Sequence, residues 1–253
     1  MRDVEIFIPN TDILPKELES RIAGMNLADG DPKSEVNLLV YDEKGLSLSS
    51  SHARARGENP ISFNFEKQLL YHRRMNYSLK KESLACALGV GKGKRPFVWD
   101  LTCGTGKDSM LILSFGVKVA AFERDEIVGL LLFDAFLRAS KNVVTGAMLE
   151  NFSLEISDPM VNLSQNIQMP DVLYYDPMYE DVRERKALPR KEMRIFQEVV
   201  LPNDPPEKIF NFAKKIEVPR LVIKRSLKGD DFGNKTPSLR FKGKTTRYDV
   251  YLR

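Results

Sequence analysis

Apolar and polar positions along the chain follow two regimes that meet near residue 90. In the first, the apolar run 36–41, the turn Asp42-Glu-Lys-Gly45 and the run 46–48 predict a β-hairpin with its glycine in the turn. A short strand is expected at 61–65. Residues 68–88 predict a helix, with Leu69, Leu70, Leu79, Leu84 and Leu88 as apolar contacts and Gly89 as terminator. From Pro96 onward strands and helices alternate. Strands are expected at 97–101, 117–123, 153–156, 171–175 and 220–224. Helices are expected at 107–115, 126–140, 191–200 and 206–216, with a fragment at Met148-Leu149. Segments 238–241 and 246–252 predict a closing antiparallel hairpin. Such alternation is the signature of an α/β fold with a mostly parallel sheet. The expected organisation is a small N-terminal α+β region, 1–90, and an α/β domain, 91–253, joined by the glycine- and lysine-rich stretch 91–96.

At 253 residues, 42% hydrophobic and 29% charged, the composition is that of an ordinary globular protein. The most apolar stretch, 127–136, is short and interrupted by Asp134, so no membrane span is expected. Two cysteines, Cys86 and Cys103, build no disulfide framework. With no leader-like opening run, the cytoplasm is the expected compartment. His52 and His72 are too scattered to form a metal-ligand set, and no metal is expected. The net charge of +4 matters less than its distribution, for basic residues bunch at 183–194 and again at 224–247. These two loops are candidate contacts for a polyanion.

Two short motifs carry the chemistry. Asp100-Leu-Thr-Cys-Gly-Thr-Gly106 ends one apolar run and opens a helix, the strand–glycine loop–helix unit in which backbone passes close to a nucleotide-like ligand. Gly104 and Gly106 would let that ligand approach. Glu123 ends the next strand, where a carboxylate accepts hydrogen bonds from ribose hydroxyls. Ser157 and Asp158, after the third strand, would lie near an adenine edge. Ser109 stands where a dinucleotide fingerprint has its third glycine, and Asp100 would repel a pyrophosphate, so a nicotinamide enzyme is disfavoured. An ammonium group suits Asp100 better. The second motif, Asp176-Pro-Met-Tyr179, also ends an apolar strand. The Asp176 carboxylate and Pro177 carbonyl would grip an exocyclic amine while Tyr179 stacks on its base. Together the motifs predict methyl transfer from S-adenosylmethionine to an aromatic amine.

These residues carry a family resemblance. The segments His72-Arg-Arg74, Asp100 to Asp108, Glu123-Arg124, Asp176-Pro-Met-Tyr179, Lys191-Glu-Met-Arg194, Val222-Ile-Lys-Arg225 and Arg247-Tyr-Asp-Val-Tyr251 occur in one order over most of the chain. In this the chain resembles the bacterial 16S ribosomal RNA guanine-N2 methyltransferases of the RsmJ, or YhiQ-like, family. The resemblance implies a class I methyltransferase (Rossmann-like) seven-stranded sheet with an antiparallel last strand. It also implies that Lys107, Asp108, Glu123, Arg124, Ser157, Asp158 and Asp176 contact S-adenosylmethionine or the reacting edge. Ribosomal RNA or the small ribosomal subunit is the implied partner, with the N-terminal region 1–90 and the two basic loops as its expected contacts. The same chemistry on a DNA adenine amine or a protein glutamine amide is the alternative, as is a non-catalytic ribosome assembly or RNA-binding protein.

Overall fold

The computed structural model describes residues 4–8, 11–25, 36–163, 167–177 and 204–253. Met178, Tyr179, the basic run 183–194 and the helix expected at 191–200 lie outside them.

The N-terminal part forms a three-stranded sheet. β1 (Val4–Phe7) runs parallel to β2 (Asn37–Asp42), which turns at Gly45 into antiparallel β3 (Gly45–Ser49). Helix α1 (Lys16–Ile22) lies between β1 and β2 along the chain, and the short α2 (Ser51–Ala55) follows β3. The expected strand at 61–65 is reduced to one bridge, Leu48 to Ile61. Asn64 instead caps α3 (Phe65–Met75) by accepting the Lys67 N–H, which makes Phe65 the first helical residue. The helix expected over 68–88 is two helices. Asn76 takes a left-handed conformation at φ +42°, ends α3, and α4 (Ser83–Leu88) starts afresh under a Glu82 cap. Gly89 terminates it as expected, at φ +76°.

The large sheet contains β4 (Val98–Asp100), β5 (Val119–Glu123), β6 (Phe152–Ile156), β7 (Val172–Tyr175), β8 (Arg220–Ser226), β9 (Leu239–Lys242) and β10 (Thr246–Leu252). Its strand order is β6-β5-β4-β7-β8-β10-β9. The first five strands in that order are mutually parallel, and β10 is antiparallel to both β8 and β9. Helices α5 (Lys107–Ser114), α6 (Glu126–Ser140), α7 (Val143–Leu149) and α8 (Pro206–Lys215) complete the α/β alternation.

Alternation along the strands divides the core in two. Val98, Val119, Val172, Tyr174 and Val222 face one way, packing with α3 to α6 and with Ile6, Leu39, Leu46 and Leu48 of the small sheet. Trp99, Phe122, Leu173, Tyr175 and Ile223 face the other way, towards Ile209 and Phe212 of α8. A buried carboxylate bolts the hairpin to this body. Asp134 of α6 accepts the Leu46 N–H at 3.0 Å and pairs with Arg138 at 2.7 Å, and Arg138 also donates to the Phe63 carbonyl. No helix among the described residues is long and apolar enough to cross a membrane.

Candidate active site

The strand order reverses at β4, whose neighbours β5 and β7 lead the chain to opposite edges of the sheet. In such sheets the crevice beyond the carboxyl ends of the strands at that point is the ligand site. Asp100 ends β4, Glu123 ends β5, Asp158 follows β6 and Asp176 follows β7. The chain thus brings its predicted carboxylates to one rim.

The glycine loop is held from both sides. Asp100 is fully buried and accepts the Thr102 N–H at 3.0 Å and the Ser109 hydroxyl at 2.5 Å. Burial drives its carboxyl up to about 7 against the pull of those two donors. Glu123 takes the Gly104 N–H on one oxygen and the Asp125 N–H on the other, each at 2.9 Å. Its carboxyl is raised by burial despite these bonds. A carboxylate has about four acceptor positions, so further hydroxyl donors can still be taken. Gly106, at φ +74°, is required twice over: a Cβ there would lie 2.3 Å from Cε1 of Phe65. Gly104, at φ +55°, faces open space, with only the Thr102 carbonyl within reach of an added Cβ, at 3.7 Å.

Around Asp176 lies a polar cluster that the two motifs only partly foretold. Asp176 donates its backbone N–H to Thr102 Oγ1 at 2.7 Å, tying the second motif to the glycine loop of the first. Lys224 Nζ bridges Asp176 Oδ2 at 2.9 Å and Asp108 Oδ2 at 2.6 Å. Tyr174 donates its hydroxyl to the same Asp108 oxygen at 2.5 Å. Register explains the meeting: Tyr175 lies beside Ile223, so the next step along β7 and β8 brings Asp176 beside Lys224. Burial lifts the Asp176 carboxyl to about 6; Lys224 lowers it and Asp108 raises it. Burial would discharge Lys224, but the two carboxylates outweigh it and hold the ammonium firmly protonated.

On the far side, Asp158 accepts Met160 N–H and pairs with Lys208 at 2.9 Å; Lys208 also meets Asp204 at 2.8 Å. Arg124 reaches the same Asp204 at 2.7 Å. Arg124 and Asp158 are therefore two ends of one ion-pair chain anchored on α8. Ser157 is half-buried beside it, Lys107 is exposed at the start of α5, and Pro177 is buried behind Asp176.

Part of the basic C-terminal run proves to be structural. Besides Lys224, Arg225 donates to the Asp230 carbonyl, and buried Arg247 pairs with Asp249 and donates to the carbonyls of Ser226, Leu227, Gly229 and Asp230. These arginines hold a loop and are not open to a polyanion. Lys228, Lys235, Lys242 and Lys244 remain exposed.

Comparison with known proteins accounts for this arrangement. The profile of a SAM-dependent methyltransferase family, SAM_MT, matches residues 22–253. The chain is 37% identical to ribosomal RNA small subunit methyltransferase J of Pseudoalteromonas translucida over 94% of its own length and 92% of the relative's. It is 32% identical to the protein of that name from Thioalkalivibrio sulfidiphilus, over 94% of both chains. The chain belongs to the RsmJ family of SAM-dependent methyltransferases. A crystal structure of a SAM-dependent methyltransferase from Neisseria gonorrhoeae superimposes with a TM-score of 0.74 at 25% identity, covering 98% of this chain and 95% of that one. The seven-stranded sheet is accordingly the methyltransferase sheet, with its last strand antiparallel.

The site suits the family's cofactor on its own terms. S-adenosylmethionine carries a sulfonium and an ammonium, and around the loop that buried Asp100 orders the rim offers Glu123, Asp108 and Asp176, with Lys224 bridging the last two. The open space over Gly104 is a cradle that any side chain would fill. Beside the loop, Gln68 donates to the Thr105 carbonyl at 3.4 Å while its buried Oε1 has no partner among the described residues.

Proposed function

We propose that the chain methylates the exocyclic N2 amine of a guanine in 16S, small-subunit ribosomal RNA, in the cytoplasm. One observation carries this reading. The Asp176 N–H to Thr102 Oγ1 bond, at 2.7 Å, sets an acceptor-side carboxylate directly against the glycine loop. The relatives named for small-subunit ribosomal RNA support the substrate, and their match extends over nearly the whole chain.

When bound, S-adenosylmethionine supplies an electrophilic methyl group with a good leaving group behind it. Everything else falls to the chain's own residues. Glu123 would receive the ribose hydroxyls, Asp100 the ammonium through the loop it orders, and Ser157 and Asp158 would flank the adenine. Gly104 and Gly106 would let the backbone close on the cofactor, with Lys107 and Arg124 at its margins. Asp176 and the Pro177 carbonyl accept N–H bonds from the guanine amine, which turns its lone pair out of the ring and towards the methyl group. A carboxyl titrating at about 6 is ionised at neutral pH, yet basic enough to take the proton that the methylated amine releases. Lys224 and Asp108 hold that carboxylate in place from behind. Tyr179, next but one to Pro177, would stack on the base.

The test is Asp176→Ala, assayed for labelled methyl transfer to small-subunit RNA and for S-adenosylmethionine binding. Transfer should fall at least a hundredfold with binding retained. Full turnover by the variant would overturn the role of Asp176.

A further inference from the structure

Helix α3 carries a group of cations that neither the cofactor nor the fold uses. Lys67, Arg73 and Arg74 on the helix and Lys80 and Lys81 in the turn after it are all exposed. The charged ends of these five side chains make no hydrogen bond or ion pair among the described residues. The nearby acids are engaged otherwise: Glu66 accepts from Asn142, and Glu82 caps α4. Among these cations stands Tyr71, a large aromatic residue left 55% exposed. This contrasts with Arg225 and Arg247, whose charges are spent inside the C-terminal loop.

The helix is also aimed at the site. Residues 68, 72 and 75 lie along one stripe of α3, because neighbours on a helical face recur every three to four positions. Gln68 on that stripe touches the glycine loop through the Thr105 carbonyl. His72 lies one turn further on; burial depresses its imidazole while the Asp108 carboxylate pulls it upward. Asp108 in turn shares Lys224 with Asp176. Lys67, Tyr71 and Arg74 form the adjoining, solvent-facing stripe, with the Tyr71 ring 5.3 Å from that of His72. The outer face of α3 is thus the margin of the acceptor side.

We propose that this face is the track on which the RNA strand leading to the target nucleotide lies, its phosphates on Lys67, Arg74, Lys80 and Lys81 and a flanking base stacked on Tyr71. A polyanion with unpaired bases is the occupant that uncompensated cations around an exposed aromatic ring fit. The inference rests on the function proposed above, because it takes small-subunit ribosomal RNA as the strand.

The test compares full-length wild-type protein with Lys67→Gln/Arg74→Gln, Lys80→Gln/Lys81→Gln, Tyr71→Ala and Tyr71→Phe. Lys214→Gln/Lys215→Gln, on α8 across the sheet, removes the same charge and serves as the control. Binding to an unmodified small-subunit RNA transcript and to small subunits lacking the modification is measured separately from methyl transfer. Each α3 charge pair should weaken RNA binding about tenfold and lower the slope of log affinity against log salt by about 2. Tyr71→Ala should weaken it about tenfold while Tyr71→Phe does not. KM for RNA should rise in step, with kcat at saturating RNA and the S-adenosylmethionine affinity unchanged. α3 variants that bind RNA no worse than the α8 control, with wild-type transfer intact, would overturn the track and leave the function standing. Wild-type protein that binds RNA through α3 but transfers methyl to neither RNA nor subunits would overturn the function instead.

Discussion

Replacing Lys224 by methionine keeps a long side chain and deletes the charge that sits 2.9 Å from Asp176 and 2.6 Å from Asp108. With Lys224 in place, the Asp176 carboxyl stands at about 6, raised by burial, lowered by the lysine and raised again by Asp108. Deleting the lysine removes the lowering influence and leaves two carboxylates facing each other, so the carboxyl must move up. Among the described residues, the other groups facing Asp176 are Asp100, Tyr174, Tyr175 and Tyr248, and none of these four is a cation. Loss of a close opposite charge moves a carboxylate by about 1–3 pH units, here to about 8. At about pH 7 the reactive, ionised fraction would then fall from about nine-tenths to about one-tenth, a roughly tenfold loss of kcat. The loss should vanish near about pH 9, where both forms are ionised. The assay is single-turnover transfer of labelled methyl to small-subunit RNA across that range, with folding checked by thermal melting. Lys224→Arg should retain the wild-type acid limb. An acid limb unmoved in Lys224→Met would refute the reasoning even if the rate were lower.

Four further outcomes follow from the same geometry. Gly106→Ala should cost about 2–4 kcal/mol in chemical denaturation, because its Cβ meets Phe65 at 2.3 Å in a left-handed conformation. Gly104→Ala should cost only about 1 kcal/mol yet weaken S-adenosylmethionine binding at least tenfold, and a reversed order of stabilities would contradict the loop geometry. Asp134→Ala strands the Leu46 N–H and Arg138, and should cost roughly 3 kcal/mol in urea unfolding; a cost below about 1 kcal/mol would show that the hairpin is held otherwise. Asp100 titrates at about 7 when folded against 3.8 ordinarily, so the folded chain binds the extra proton between those values and its stability falls as pH rises through them. The stability of Asp100→Asn relative to wild type should therefore climb from about pH 4 to 7, by up to roughly 4 kcal/mol, and then level off. A constant difference across melts of the cofactor-free proteins would contradict the buried, protonated state.

Elements whose signals are local were legible in the sequence. Helix α6 spans Glu126–Ser140, the bounds expected for it, and the hairpin turns at Gly45 as expected. Where a signal is shared between two structures, the reading failed. The leucines of 69–88 keep helical spacing across a break that Asn76 makes by turning left-handed. Strand β1 gains its place by parallel pairing with β2 some thirty residues on, a contact no local pattern announces. The site divides the same way. Asp100, Gly104, Gly106, Glu123 and Asp176 stand out because strand ends and glycines mark them. Lys224 does not, for it reads as one more basic residue of a basic run until the register of β7 and β8 brings it beside Asp176. Its position as the fifth residue of a parallel strand was the available signal. Arg225 and Arg247 mislead for the complementary reason, since charge in a sequence does not tell whether a carboxylate or a set of carbonyls will use it.

The most direct test of the account is mass analysis of nucleosides from small-subunit ribosomal RNA incubated with the purified protein and S-adenosylmethionine bearing a labelled methyl group, with Asp176→Ala in parallel. Label is expected in N2-methylguanosine at one site, and none with the variant. Label in an adenosine, a ribose or a ring carbon, or equal labelling by both proteins, would contradict it.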